Sequence, residues 1–192
     1  MMALHALGKD ISWDQVNKET QYKNKLYTWS IAGALVLDKH VKGIKLISAL
    51  DYGEFAKEGE KYLKRIWKSE WFNLQIQHAS PGFQKEHKLA KTLVTKTFFE
   101  FKRLLLRDIE KLLNSYLFIA LIDAGKLAGK NKSSGHFVFV YNQDSNTFLL
   151  HDPGLPPKKR WRVKKELFMA SFKNELIAVP RQSTPHEQTK KP

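Results

Sequence analysis

The order of apolar patterns along the chain predicts an α+β fold. Three observations carry it. The first half of the 192 residues repeats apolar side chains at roughly helical spacing. Residues 116–123, YLFIALID, form a continuous apolar run of strand length, which fits a central buried strand. GHFVFVYNQDSNTFLLHDPG, residues 135–154, reads as two alternating strands around a polar turn. Helices first and strands afterwards predict N-terminal helices packed on a C-terminal antiparallel sheet.

Each element has its own signal. Met1–Leu7 is apolar and ends at Gly8, a C-cap position. Ser12 caps a helix over Trp13–Lys18, with Gln15 at capping-box spacing. Tyr27–Asp38 is apolar enough for a buried helix, and 41–48 makes a short β-like run. Asp51 caps a helix carrying Phe55, Tyr62, Leu63 and Ile66. After the break at Ser80-Pro81-Gly82, Phe98–Asn114 predicts helix, with a fresh start near Arg107-Asp108. Behind the 135–154 hairpin come a basic strand at 158–165, a short helix at Lys165–Phe172 and a last strand at Leu176–Val179. Residues 1–180 thus make one domain, and 181–192 a polar tail with the composition of disorder.

Composition narrows the function classes. There is no cysteine, which excludes disulfides and Cys-ligated zinc in this chain. No apolar run approaches the roughly 20 residues needed to span a bilayer. With no signal-peptide pattern at the start, a cytoplasmic location is the default expectation. The 33 Lys+Arg against 19 Asp+Glu give a formal charge of +14, a surplus that attracts phosphate and anionic surfaces. Most of it is scattered; only KKRWRVKK, 158–165, is dense, so nucleic-acid binding ranks last among the readings.

The hairpin carries the chemistry. His136 shares a strand face with Val138 and Val140, and Asp152 shares one with Leu150 and Phe148. An odd loop that sets Tyr141 against Thr147 brings His136 opposite Asp152, as a general base and its orienting carboxylate require. A two-residue turn at Asp144-Ser145 instead sends them to opposite faces. His151, one position off, points away to the surface.

These residues resemble the peptidase C39-like family of papain-like cysteine peptidases. LFIALID (117–123), GHFVFVYN (135–142), TFLLHDPG (147–154) and ELFMASF (166–172) carry the likeness. ALHALGKDISWDQVNKET, YTWSIAGALVL and DYGEFAKEGEKYL extend it less specifically upstream. The resemblance implies a papain-like fold and peptide cleavage through a Cys-His-Asp triad, with His136 as base and Asp152 as its orienter. It also implies a cysteine at the start of the first helix, where the helix terminus lowers its pKa, and a glutamine shortly before it. The chain has no cysteine and is expected to begin inside the matching helix, at MMALHALGK. An alcohol is a far weaker nucleophile without the full constellation. As given, the chain should not cleave peptides by the family's mechanism. Two explanations stay open: a truncated form, or a degenerate relative (a pseudoenzyme) that binds a peptide or protein segment in the same cleft.

Other constellations are weaker. His78 and His87, nine apart with Glu86 adjacent, fit no zinc-site spacing and read as surface histidines, so no metal is expected. AGKLAGKNKSSG, 124–135, matches neither a P-loop nor a dinucleotide fingerprint, and no cofactor is expected. Trp67 and Trp71, at helical neighbour spacing, read as core before they read as a stacking platform.

Overall fold

A seven-stranded sheet with strand order β2-β1-β7-β3-β4-β5-β6 organises the molecule. The structure is a computed structural model and describes residues 2–23, 26–130, 133–154 and 156–181. The strands are β1 (Lys45–Ser48), β2 (Phe99–Phe101), β3 (Tyr116–Asp123), β4 (Gly135–Gln143), β5 (Thr147–Asp152), β6 (Lys158–Lys164) and β7 (Phe172–Pro180). The helices are α1 (Met2–Ala6), α2 (Trp13–Glu19), α3 (Ser30–His40), α4 (Tyr52–Glu58), α5 (Glu60–Ile66), α6 (Ser69–His78), α7 (Gln84–Leu93), α8 (Leu106–Leu113), α9 (Ala124–Leu127) and α10 (Lys165–Ser171).

The fold class is α+β, with two differences from the expected sheet. It is mixed rather than antiparallel, because β1 and β2 run parallel. It also draws both of those strands from the helical half of the chain. β2 replaces the first part of the helix expected over Phe98–Asn114. Phe99 and Phe101 are β-formers, and β2 docks on β1 through the Leu46↔Phe99 register. The helical pattern begins only at Leu106, where the Asp108 carboxylate accepts the Leu105 N–H at 2.9 Å.

Strand alternation gives the sheet two apolar faces, and each is covered. Leu46, Leu117, Phe139, Ile177 and Val179 pack with residues of α1, α3, α4, α5, α6 and α7. Ile47, Phe118, Ala120, Ile122, Val138, Val140, Phe148, Leu150 and Leu176 pack with residues of α8, α9 and α10. β3 stands fourth in the order of seven, and Phe118, Ala120 and Ile122 are fully buried. Burying each such Phe or Ile contributes roughly 1.5–3 kcal/mol.

Local signals held where a side chain or a glycine dictates geometry. Ser12 accepts the Gln15 N–H at 3.1 Å, although the Gln15 amide bonds Glu19 instead of closing a capping box. Asp51 accepts the N–H groups of Gly53 and Glu54 at 2.8 and 3.0 Å. The helix expected beyond Asp51 breaks into α4 and α5 at Gly59, whose φ of +59° only glycine adopts without strain. A side chain there would also touch the His87 ring. Of the expected tail, 181–192, all but Arg181 lies outside the described residues. Arg181 bonds the carbonyls of Leu113 and Tyr141 at 3.0 and 2.6 Å.

Candidate functional site

The hairpin turn is built by Asp144. Its N–H donates to the Thr147 carbonyl at 3.0 Å, and its carboxylate accepts the N–H groups of Asn146 and Thr147 at 2.9 and 2.7 Å. This closes a two-residue loop, Ser145-Asn146, and not the odd loop expected. Continued without interruption, such a loop would set His136 and Asp152 on opposite faces. A bulge between Val140 and Asn142 supplies the missing residue: the ladder runs Gln143↔Phe148 and Asn142↔Leu149, then shifts to Val140↔Leu150 and Phe139↔His151. Tyr141 is the inserted residue. After it, positions 136 and 152 again share a face, offset by two residues.

Across that diagonal, His136 Nε2 lies 2.5 Å from Asp152 Oδ1. The same oxygen accepts the Gly154 N–H at 2.8 Å. Burial raises the Asp152 pKa, but the His136 and Gly154 hydrogen bonds outweigh it, and the carboxyl lies below its ordinary value. Asp152 is therefore an anion at neutral pH, and Nε2 is the nitrogen that carries the proton. That leaves the Nδ1 lone pair without a partner among the described residues, free to accept a proton or a hydrogen bond. Gly154 makes the arrangement possible. A Cβ there would come within 2.9 Å of Asp152 Oδ1 and 3.5 Å of the imidazole.

The start of β4 borders a cavity of about 860 Å³, with Gly135, His136 and Phe137 along one side. Tyr27, Thr28, Trp29 and Ser30 at the start of α3 form another wall, with Tyr62, Trp67 and Trp71 further round. Trp29 anchors this aromatic wall, with ring centroids 5.6 Å from Phe55, 5.8 Å from Trp67 and 5.7 Å from Phe83. The helix that opens onto the cavity is thus α3, not the first helix. α1 packs with Leu117 and Phe139, and among the described residues none before Tyr22 lines the cavity. Met1 lies outside the described residues.

Glu175 stands in the cavity wall and was not legible beforehand as a site residue. It is buried, with Ser48 Oγ donating at 2.7 Å and Tyr52 Oη at 3.2 Å. Burial pushes its carboxyl above the usual range; Ser30, Ser48 and Tyr52 pull the other way without cancelling this. The Ser30 hydroxyl, although beside it, makes no hydrogen bond of ordinary geometry. An acidic residue inside the apolar strand ELIAV was the available signal.

Asp123 ties the end of β3 to β7 through Lys173. Its carboxylate takes the Lys126 and Ser134 N–H groups at 3.2 Å each, the Ser133 hydroxyl, and Lys173 Nζ at 3.0 Å. Burial opposes ionisation, but these donors prevail and hold the carboxyl well below the ordinary range.

The remaining candidates separate. His78 and His87 are half-buried rather than surface residues: His78 stacks on Tyr27 at 4.5 Å, and His87 bonds the Ala56 carbonyl at 2.9 Å. Glu86 accepts from Ser80 at 2.5 Å. No cluster of three metal-binding side chains occurs among the described residues. His151 does not project freely to solvent but stacks on Tyr141 at 4.6 Å, and its Nδ1 accepts the Arg160 N–H at 3.2 Å. Trp67 and Trp71 do not share a helix, because α5 ends at Ile66. The basic strand β6 is a sheet edge. There Arg162 pairs with Asp144 at 2.5 Å, and Lys158 lies over the Trp161 ring at 4.0 Å. Among the described residues no helix is long and apolar enough to cross a membrane.

Residues 88–184, from α7 through β7, match the model of the Peptidase C39 family, and the segment includes His136, Asp152 and Glu175. The match spans half of the chain and makes it peptidase-like in class. The chain belongs to the Peptidase C39 family. Neither the search of curated proteins nor that of solved structures returned a match.

Proposed function

We propose that this chain is a peptide-binding member of the Peptidase C39 family on a papain-like scaffold, holding a peptide or protein segment without cleaving it through a thiol. The observation that carries this reading is the His136–Asp152 pair at the edge of an aromatic-walled cavity in a chain that contains no cysteine. The pair keeps the parts of a cysteine-peptidase site that orient a proton. The start of α3 beside it offers Thr28 and Ser30, of which Ser30 is buried and set against Glu175. A buried alcohol beside a carboxyl, with no thiol in the chain, lacks the activation that acyl transfer needs. An imidazole with a fixed Nε2–H and an open Nδ1 still serves as an acceptor for a peptide N–H.

The test is a titration of the purified chain with a panel of extended peptides, followed by calorimetry and mass spectrometry. Saturable binding of intact peptides, weakened by Trp67→Ala or Trp71→Ala, is the expected result. Turnover abolished by His136→Ala would replace this reading with a hydroxyl-dependent hydrolase. No binding by any peptide would overturn it. The competing reading, an anionic-surface or nucleic-acid binder, rests on the exposed β6 edge and the net charge. It requires an affinity for DNA or RNA that falls steeply with salt.

A further inference from the structure

We propose that the cavity beside His136 recognises a cationic side chain, lysine or arginine, of the bound peptide, with the aliphatic stem against the aromatic wall and the charge at Glu175. This deepens the peptide-binding reading and rests on it. Two observations converge on it.

Glu175 is a buried carboxyl with no cation. Its hydrogen-bond donors are hydroxyls, those of Ser48 and Tyr52, and no ion pair reaches it among the described residues. The nearby Lys173 is committed elsewhere, at 3.0 Å from Asp123 and 5.0 Å over the Trp71 ring. Each of its oxygens accepts one neutral hydroxyl, so the carboxyl is hydrogen-bonded but carries no compensating charge, and a cation in the cavity would supply it.

The walls suit an amphipathic cation. Trp29, Tyr62, Trp67 and Trp71 line the same cavity as Glu175, and the exposed Tyr22, Tyr27 and Ile66 line it too. A lysine or arginine buries its methylene stem on such surface and presents its charge at the tip. Aromatic faces attract the same cation on the way. A neutral apolar side chain would fill the walls but leave Glu175 facing it without compensation.

The net charge of +14 works against a cation at long range, so attraction has to be local. Salt screens the distant repulsion within about 8 Å at physiological ionic strength, while the enclosed carboxylate acts at contact. Affinity for the cation should therefore hold, or rise, between low and physiological salt. A merely electrostatic surface site would show the reverse.

The experiment uses n-butylguanidinium and its neutral counterpart n-butylurea as probes of the full chain, read by tryptophan fluorescence and calorimetry. The expected result is saturable binding of the cation at least about tenfold tighter than the urea, a preference of the size a charge-assisted bond supplies. Glu175→Gln should bring the two probes together while the thermal melt stays cooperative. Equal binding of both probes by the wild-type chain overturns the proposal, a comparison that needs no variant to fold. Peptides carrying lysine, arginine or norleucine at one fixed position separate this proposal from the reading beneath it. Peptides that bind without preferring the cation sink the cationic pocket and leave peptide binding standing. Glu175-dependent binding of butylguanidinium with no peptide binding supports the cationic site and sinks the peptide reading.

Discussion

His136 and Asp152 meet on a diagonal of the β4–β5 ladder, joined at 2.5 Å although the register sets His136 level with Gly154. The bulge at Tyr141 decides this. It converts a two-residue turn that would part the pair into one that joins it. Asp152 Oδ1 then serves two donors at once, the imidazole and the Gly154 amide.

Gly154→Ala should disrupt the pair while leaving the sheet intact. The new methyl would lie 2.9 Å from Asp152 Oδ1, too close without displacement. A cost of about 1–3 kcal/mol is expected from such overpacking. Thermal denaturation gives the cost, and loss of a downfield His136 Nε2 proton in the NMR spectrum reports the broken hydrogen bond.

The acid limb of stability should be set partly by Asp123 and Asp144. The Thr147 hydroxyl and the turn N–H groups hold Asp144 at about 2, against an ordinary 3.8. Asp123 is lowered further, its donors overcoming burial. The unfolded chain protonates these groups first. Their contribution is therefore complete above pH 3.8 and is lost as pH falls through that value towards 2. Asp144→Asn should flatten this limb in a pH series of melting temperatures.

Asp123→Ala should cost about 3 kcal/mol, because it removes the buried acceptor shared by the Lys126 and Ser134 N–H groups, the Ser133 hydroxyl and the Lys173 ammonium. Urea denaturation measures it. Since Lys173 is then released near Glu175, the same variant should weaken binding of butylguanidinium.

His151 should oppose acidification from another side. Burial, with Lys159 and Arg160 nearby, lowers its pKa below 6.5. The folded state favours the neutral ring, so stability is complete above pH 6.5 and declines as pH falls below it. His151→Phe, which keeps a ring against Tyr141, should remove that decline in melts between pH 7 and 5.

The chain's strongest periodicities were legible. The continuous apolar run 116–123 has strand length and the two hairpin strands alternate, and Val138, Val140, Phe148 and Leu150 are fully buried. β2 was not legible, because its three residues sit in an apolar stretch that fits helix equally well. Nor was the break at Gly59, where one glycine divides a pattern periodic on both sides. Parity placed His136 and Asp152 on one face. The means could not be read, since a bulge leaves no residue signature at Tyr141. Glu175 was invisible as a site residue because its significance lies in what surrounds it, residues from α3, β1 and α4 that only the fold brings together.

Whether His136 receives a peptide is read by long-range nitrogen–proton correlation of its ring as an extended peptide is added. The expected result is the Nε2–H tautomer in the free chain, a saturable shift of Nδ1 on binding, and a peptide recovered intact by mass spectrometry. An Nδ1–H tautomer in the free chain, or a His136 signal unmoved by a peptide that binds, would contradict it.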